Sequence, residues 1–485
     1  MKASLLGFMP DSDPSTPGVV TACTSVVPSI RGLKGAPSAV STTLPALAAA
    51  CFGAATVRKL DDSRRLFAGT ATKLYESATT SWTDVSRAGA YNASIDIRWR
   101  FAQFSDVSLA VNKGDVLQFS AGSGVFADLT APKASIVETV NQFVFLFDTN
   151  EATFGDSPNR WWCCALGDYT NWVPSVPNQC ASGILVGSSG RITAGRRFGD
   201  AIIAYKQRAM YLGIYQGPPS VWGFIQLPGT AGALCQEAVI DVGTSENPRH
   251  IFVGEDDFYS FDGSRAVPLG TGVVKEYFFS GLSNSFPNRV CSMLNRRLSL
   301  VYFYYASSGG VIDKCLVFNY KTGRWGSDDR SIEAAVEFIS GGYTYDSLGT
   351  YYSTYDDMPN ITYDSPFWVA GAQSPAIIDT THKIQTLTGA AGASSLTTGD
   401  IGDDKQVFFV SRVKPKYLTQ PTTASLTNYS KMSIGDAPTL ESVTTISSNR
   451  FDFMKSARWH RFMHQSVGDF EFNELDIDAV PEGSE

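Results

Sequence analysis

Histidine is scarce in this sequence, with only 4 among 485 residues, so general-base chemistry has few candidates. The chain also lacks a Gly-x-Gly-x-x-Gly loop, a Walker-type phosphate loop and a Gly-x-Ser-x-Gly nucleophile elbow. The glycine-containing stretch at residues 187–191 has no lysine and no strand-to-helix context, so it predicts a turn. These absences argue against nucleotide-dependent enzymes and serine hydrolases.

Long apolar runs and excess positive charge are also missing. The alanine-rich run from Leu44 to Val57 is too short and too interrupted to span a bilayer, and the first residues lack the pattern of an export signal. We therefore expect synthesis and assembly in a cytoplasm, without a membrane-spanning segment. Lys and Arg total 39 against 47 Asp and Glu, a formal net charge of −8, which argues against broad basic patches for nucleic-acid binding.

Cysteine spacing gives no sign of a metal site or of a disulfide framework. Of the 8 cysteines, Cys163 and Cys164 are adjacent, and the others are scattered without metal-type spacing. We expect reduced, mostly buried thiols. The sequence predicts no metal and no other cofactor.

The residue types that are abundant favour strands. The chain contains 30 Phe, 20 Tyr, 9 Trp and 43 Gly, a composition that favours strands and turns over helices. Hydrophobic residues make up 43%, which is enough for a large core without disulfides. The sequence therefore predicts an all-β protein.

A recurring order of residue types predicts how the strands are arranged. In residues 66–87, two apolar segments flank a glycine turn and are followed by a closing aromatic residue. The same order returns in residues 109–129, 202–224, 251–263 and 314–325. The closing positions Trp82, Phe126, Trp172 and Trp222 lie about 44 to 50 residues apart, which suits a four-stranded propeller blade. Glycine turns between apolar runs occur in any β-rich protein, but the recurrence of the order favours a β-propeller.

The repeat divides the chain into five parts. We predict an extended N-terminal arm in residues 1–60, a β-propeller with inserted loops in 61–387, a linker or long loop in 388–404, a C-terminal β unit in 405–480 and a disordered tail in 481–485. The pattern loosens after Trp325, and residues 334–387 hold short β-like pieces that suit one or two further blades.

Some acidic residues are candidates for glycosidase acids, because enzymes on propellers usually gather carboxylates at the ring axis. They are Glu255, Asp256, Asp257, Asp356, Asp357, Asp403 and Asp404. Adjacent acids in a strand point to opposite faces, and acids in hairpin turns are more often solvated, so the sequence does not favour catalysis.

The histidines His460 and His464 have the helical spacing of a metal-binding pair. No glutamate follows His460 and no third ligand is evident, while in a strand the even spacing puts both on one face. A structural or surface role is therefore favoured. We predict no catalytic, cofactor-binding or metal site, and no enzymatic activity.

Three stretches resemble the tail nozzle proteins of short-tailed bacteriophages, also called packaged-DNA stabilisation or tail hub proteins. They run from Arg64 to Tyr75, from Phe252 to Tyr259 and from Ser456 to Arg461. The resemblance covers residues 60–480, and the proline-rich N-terminal arm matches least. It implies a six-bladed β-propeller with β-rich platform or tip elements, and six copies forming a homohexameric ring below the head-to-tail adaptor. Contacts with tail fibre or spike proteins and passage of genomic double-stranded DNA through the lumen are implied too.

We therefore predict a structural protein of the virion tail, which is assembled in the host bacterial cytoplasm, retains packaged DNA and provides the channel for its ejection. The alternative is a carbohydrate-binding or carbohydrate-cleaving β-propeller, that is, a lectin or a glycosidase. In that case the aromatic residues would stack on sugars and the axial acids would supply the catalysts.

Three structural expectations accompany this interpretation. The tryptophans Trp82, Trp172, Trp222 and Trp325 should be mostly buried at related positions between blades. The N-terminal arm and the β unit after residue 405 should lie together outside the ring, as the platform that meets the adaptor. Four acidic pairs should lie in turns, from which some reach an acidic or neutral channel, namely Asp256-Asp257, Asp328-Asp329, Asp356-Asp357 and Asp403-Asp404.

Overall fold

The computed structural model describes residues 1–339, 354 and 373–484, and most of these residues lie in β-strands. The first six strands extend sheets that later parts of the chain build. They are β1 (Lys2–Ser4), β2 (Gly7–Phe8), β3 (Val19–Thr24), β4 (Val26–Pro28), β5 (Leu33–Gly35) and β6 (Ser38–Ser41).

Residues 54–226 form four consecutive antiparallel sheets of four strands each, the first blades of a propeller. Blade one contains β7 (Ala54–Arg58), β8 (Arg64–Gly69), β9 (Leu74–Ser77) and β10 (Trp82–Asp84). Blade two contains β11 (Arg100–Phe104), β12 (Val107–Val111), β13 (Gln118–Ala121) and β14 (Ala127–Asp128). Blade three contains β15 (Lys133–Val140), β16 (Phe143–Glu151), β17 (Gly155–Cys163) and β18 (Ala181–Ile184). Blade four contains β19 (Ile192–Phe198), β20 (Ala201–Lys206), β21 (Met210–Gly217) and β22 (Val221–Gln226).

Two further blades follow, each introduced by a short helical segment. A 3-10 turn (Gln236–Ala238) leads into blade five, which contains β23 (Val239–Asp241), β24 (His250–Val253), β25 (Phe258–Phe261) and β26 (Ala266–Pro268). Helix α1 (Lys275–Gly281) precedes blade six, which contains β27 (Val290–Asn295), β28 (Leu300–Ala306), β29 (Ile312–Asn319) and β30 (Arg324–Asp328). No helix of the described residues is long and apolar enough to cross a membrane.

The middle strands of the blades are apolar on both faces because each blade is covered by a neighbour on either side. Every residue of β28 is buried, and so are the first seven residues of β16. In the sequence, strands buried on both faces appear as continuous apolar runs. They were therefore the easiest strands to predict.

A seventh blade closes the ring, where the resemblance implied six. It contains β31 (Ile332–Ile339), β32 (Gln373–Asp379) and β33 (Ile384–Gly389), and the N-terminal strand β6 pairs with β33 as its fourth strand. Because β31 lies beside β7, the first strands of all seven blades surround one axis. The prediction of an all-β propeller is confirmed. The count of six, which came from the resemblance, was wrong, since the described residues form seven blades. The fourth strand of the last blade comes from near the N-terminus, so no local repeat displays it.

The rest of the chain folds into a β-sandwich. It contributes β34 (Ala393–Thr398), β35 (Ile401–Gly402), β36 (Gln406–Thr419), β37 (Thr423–Lys431), β38 (Thr439–Thr445), β39 (Phe451–Ala457), β40 (Trp459–Val467) and β41 (Glu471–Ser484). One sheet has the order β2-β3-β34-β40-β37-β38, with β35 beside β40. The other has the order β39-β36-β41-β5-β4, and β1 also pairs with β41.

The N-terminal residues as far as Gly35 belong to this sandwich and do not form an irregular arm. Lys2 pairs with Asp476, and Cys23 pairs with Leu396. The arm and the C-terminal unit therefore lie together, as expected. Val26 of β4 also pairs with Ser327 of β30, so one sheet of the sandwich continues into blade six.

Three boundaries drawn from the sequence need correction. The predicted arm of residues 1–60 includes two propeller strands, because β6 completes blade seven and β7 begins blade one. Residues 388–404 are not a linker, because they hold the end of β33 together with β34 and β35. Their Ser, Thr and Ala content suggested a loop, yet Leu396 is fully buried and Ser and Thr occupy the neighbouring positions of the strand. The tail was predicted to be disordered from residue 481, but β41 extends to Ser484 and pairs with β36.

The four tryptophans of the repeat lie where each blade meets the preceding one. Trp222 packs on Phe145 of blade three, and Trp325 packs on Phe258 of blade five, with ring centroids 4.9 and 4.8 Å apart. Trp172, Trp222 and Trp325 are buried, as predicted. Trp82 is only half-buried, and its indole N–H donates to the carbonyl of Pro45. Trp172 differs in position, since it lies in the loop between β17 and β18.

Candidate functional site

The acidic run in the turn between β24 and β25 is engaged in local contacts. Glu255 forms an ion pair with Arg208 at 2.6 Å. Asp256 accepts a hydrogen bond from the Tyr259 hydroxyl. Asp257 is buried and accepts the amide N–H groups of Phe258 and Gly270 at 2.7 and 2.8 Å, which fixes the turn. No two of these three carboxylates therefore face a common open space, as the two acids of a glycosidase would.

Among the described residues, the remaining acidic pairs are not gathered at the axis either. Asp403 and Asp404 lie in the sandwich, where Asp404 accepts the indole N–H of Trp459 at 2.6 Å. Asp328 is buried at the end of β30 rather than exposed in a turn, and burial raises the pKa of this carboxyl despite the nearby Arg330. Asp356 and Asp357 lie outside the described residues.

The two histidines of β40 have a structural role. Both are buried on the face of β40 that packs against β36. A ring nitrogen of His460 lies 3.1 Å from the carbonyl oxygen of Phe408, and one of His464 lies 2.6 Å from the Tyr417 hydroxyl. Burial lowers the pKa of His464 to about 3. The described residues contain no group of three or more His, Cys, Asp and Glu side chains that would hold a metal ion.

Charged side chains converge instead at the ring axis, at the face where the first strands of the blades begin. Arg100 of blade two donates to both carboxylate oxygens of Glu237, at 2.7 and 3.0 Å. Glu237 lies in the 3-10 turn that leads into blade five, so the pair joins two non-adjacent blades. Burial alone would raise the pKa of Glu237, but the Arg100 guanidinium outweighs it and holds the pKa at about 2.

Two more contacts connect the approach to blade two with the far side of the ring. Asp96 and Arg289, which directly precedes blade six, form a bidentate ion pair at 3.0 Å. Arg98 donates to the carbonyl of Glu333 in blade seven at 2.6 Å. The Glu333 carboxylate accepts the amide N–H of Cys51 and contacts the ring of His382. We call these contacts, together with the Arg100–Glu237 ion pair, the axial network.

Two cavities are lined in part by residues of the first strands of the blades or of the segments that precede them. One of about 210 Å³ is lined by Asp96, Ile97, Arg98, Arg100, Asn112, Lys113, Gly114, Ser135 and Arg191. The other, of about 330 Å³, lies between the first strands of blades one, five, six and seven, and its lining includes Thr56, Ser292, Arg296 and Glu337. Because ion pairs cross the ring at bonding distance, the described part of the chain leaves no axial passage through a single propeller wide enough for a nucleic-acid duplex.

Sequence reasoning missed the residues of the axial network. Their shared signal is a charged side chain at or directly before the first strand of a blade, as with Arg100, Glu237 and Arg289. The repeat was recognised from its central hairpin, which in most blades is formed by the second and third strands. The first strands of the blades were therefore not predicted. Without them, nothing indicated that the charged residues preceding these strands would meet at one axis.

Comparisons with known proteins give fold-level likeness only. No family model and no curated protein matches the chain. Among solved structures, the WD40 domain of Pan2 from Neurospora crassa is 10% identical, with 70% of this chain and 88% of that chain covered and a TM-score of 0.35. The N-terminal domain of Nup159 is 8% identical, covers 79% of this chain and 98% of its own, and has a TM-score of 0.37. YCF48 from Cyanidioschyzon merolae is 12% identical over 61% of this chain and 97% of its own, with a TM-score of 0.27. The fold assignment rests on the strand pairing described above.

Proposed function

We propose that this protein is a structural component of a short-tailed bacteriophage virion, where it forms the ring-shaped tail nozzle below the head-to-tail adaptor. In that place it retains packaged DNA and provides the channel for ejection. The observation that carries the proposal is the resemblance of residues 64–75, 252–259 and 456–461 to tail nozzle proteins. The all-β architecture agrees with what that resemblance implies, apart from the number of blades.

The chemistry of the axis supports a scaffolding role over a catalytic one. Glu237 and Asp96 each form a bidentate ion pair with an arginine. The acids of the β24–β25 turn have local partners as well. A glycosidase needs two carboxylates that share one open site, about 5 to 10 Å apart. The glycosidase alternative therefore gains no support from the described acids.

The closed axis of the propeller limits where DNA could pass. If a single propeller has no passage for a duplex, the proposed channel must lie between copies of the chain, which agrees with the proposed homohexamer. Each copy carries a formal net charge of −8. A lumen of that sign would leave DNA free to slide, because few phosphates would be neutralised by Lys or Arg.

The sandwich is proposed as the platform that meets the adaptor. It is attached to blade six through the β4–β30 pairing, so it can transmit force to the propeller through a continuous sheet. Tail fibre or spike proteins would then contact other surfaces of the ring.

The test is assembly on the purified adaptor. The mass of the protein is measured by light scattering, alone and after mixing with the adaptor, and the particles are imaged by negative stain. We expect a ring of six copies, formed either alone or only on the adaptor. A stable monomer that ignores the adaptor and binds or cleaves glycans would replace this proposal with the carbohydrate-active alternative.

A further inference from the structure

We propose that ordered water molecules bind in the interface between blades six and seven, where they connect the hydroxyl groups of Tyr302 and Tyr304 with the Asp328–Arg330 ion pair. Nothing in the proposed tail function requires this water, so the inference is independent of that function. It concerns the place where the ring closes, because the N-terminal strand β6 completes blade seven.

The polar groups of this interface lie on one face of blade six. Tyr304, Cys315 and Asp328 are direct neighbours across strands β28, β29 and β30, so their side chains lie on the same side of the sheet. Tyr302 precedes Tyr304 by two residues and shares that face, and the two rings are nearly parallel, with centroids 6.2 Å apart. Both rings pack in one apolar cluster with Ile377 of blade seven. The two hydroxyls and the carboxylate are therefore on the side of blade six that faces blade seven.

These groups are buried, and their hydrogen bonds are incomplete. Tyr302, Tyr304 and Asp328 are each at most 1% exposed. Within the parts of the chain that the structure describes, neither hydroxyl has a hydrogen-bond partner, and the same holds for Oδ2 of Asp328 and Nη1 of Arg330. Asp328 and Arg330 contact each other as an ion pair at 3.3 Å. Because buried hydroxyls and charged groups in folded proteins are almost always hydrogen-bonded to protein or to ordered water, these four atoms indicate a bound molecule.

Water is the molecule that fits this position. The neighbouring side chains of Ala36, Ile332 and Leu387 are aliphatic and offer no hydrogen bond. An ion is not favoured, because Arg330 already balances the charge of Asp328. A buried water typically makes about three hydrogen bonds to polar groups that lack other partners. The Arg330 side chain is 18% exposed, so the site borders the surface there and water can reach it.

Both hydroxyls can donate as well as accept hydrogen bonds. Burial raises the pKa of Tyr302 and of Tyr304, and the charge of Asp328 adds to the rise. Both phenols therefore stay protonated at neutral pH. Each can donate to one water molecule and accept from another, which allows water to link the phenols to the Asp328 carboxylate.

The first test is a crystal structure of the full-length protein at a resolution that shows ordered water. We expect water oxygens at about 3 Å from both tyrosine hydroxyls and from the Asp328 carboxylate. A dry interface would overturn the proposal, and so would direct hydrogen bonds from the two hydroxyls to protein groups.

The second test is urea denaturation of Tyr304→Phe, which removes the hydroxyl and keeps the ring. If water binds the hydroxyl, the equilibrium constant for unfolding should rise about fivefold, as for the loss of a typical hydrogen bond. If the hydroxyl has no partner in the folded protein, its removal eliminates an unsatisfied polar group, so an unchanged or smaller constant would refute the proposal.

Two further variants make this comparison quantitative. Tyr302→Phe tests the other hydroxyl, and we expect a rise of the same size. Tyr205→Phe is the matched control, because the hydroxyl of the buried Tyr205 has a protein partner, a ring nitrogen of His250 at 2.6 Å. Its effect gives the size of the loss for a buried tyrosine that is hydrogen-bonded.

Discussion

Trp222 joins blades three and four through its ring, which lies at 87° to that of Phe145 and is 4% exposed. We expect Trp222→Ala to lower the free energy of unfolding by about 3–5 kcal/mol, because the substitution leaves a cavity between two blades that cannot collapse independently. Urea denaturation followed by circular dichroism measures the change. Trp82→Ala is the matched control and should cost less, since Trp82 is half-buried. An unchanged midpoint for Trp222→Ala would contradict the inter-blade assignment.

His464 makes stability depend on pH. In an unfolded chain a histidine titrates near pH 6.5, whereas burial lowers the pKa of folded His464 to about 3. Between these values the unfolded state binds a proton that the folded state excludes. Stability is therefore complete above pH 6.5 and falls by about 1.4 kcal/mol per pH unit as the pH drops toward 3. His250 acts in the same direction, since burial lowers its pKa to about 4.

The contribution of His464 is measured from urea midpoints between pH 7 and pH 4.5. In His464→Gln we expect the free energy of unfolding to fall less steeply as the pH falls, because one of the histidines that cause the decline is absent. Tyr417→Phe removes the same hydrogen bond but keeps the imidazole, so it should retain the slope of the wild type. A slope unaffected by His464→Gln would show that this imidazole does not couple folding to pH.

The N-terminal strands serve two different elements, and two truncations separate them. Deleting residues 1–30 removes β1 to β4 from the sandwich but leaves β6 to complete blade seven. We expect a folded propeller that no longer joins the adaptor. Deleting residues 1–45 also removes β6 and leaves an unpaired edge on β33, so the ring should become sensitive to protease.

Limited proteolysis and adaptor pull-down measure the two outcomes. A protein without residues 1–30 that still assembles on the adaptor would remove the platform from the proposal. Equal protease resistance of the two truncated proteins would show that β6 is not needed to close the ring.

At the level of elements, the sequence was informative where a pattern is local. The hairpin predicted in residues 66–87 corresponds to β8, β9 and β10, because its apolar pairs and glycine turn are adjacent in the chain. The first strands escaped notice, and so did the charges of the axial network. Their meaning depends on partners that are far apart in sequence, as Arg100 and Glu237 are. Strand β6 escaped for the same reason, since its partner β33 lies near the other end of the chain.

For the whole molecule, the negative net charge predicts a low affinity for duplex DNA. With a net charge of −8 and its axial arginines 100 and 289 already paired, the isolated protein should bind a duplex weakly at low salt. Fluorescence anisotropy with labelled duplex as the salt concentration varies measures this. Tight binding with a steep loss on adding salt would reveal a basic track, because each neutralised phosphate adds to the salt dependence. The proposal that DNA slides through a negatively charged lumen without binding to it would then be abandoned.

The pairing of Lys2 with Asp476 sets an order of events during synthesis. Strand β1 cannot pair until β41 has been synthesised, and β4 and β3 likewise wait for β30 and β34. Contacts between such distant residues form slowly. A chain cut short by early termination would expose apolar sheet edges, which invite aggregation and degradation. The ring therefore needs the chain only as far as β33, whereas the sandwich is completed only when β41 has been synthesised.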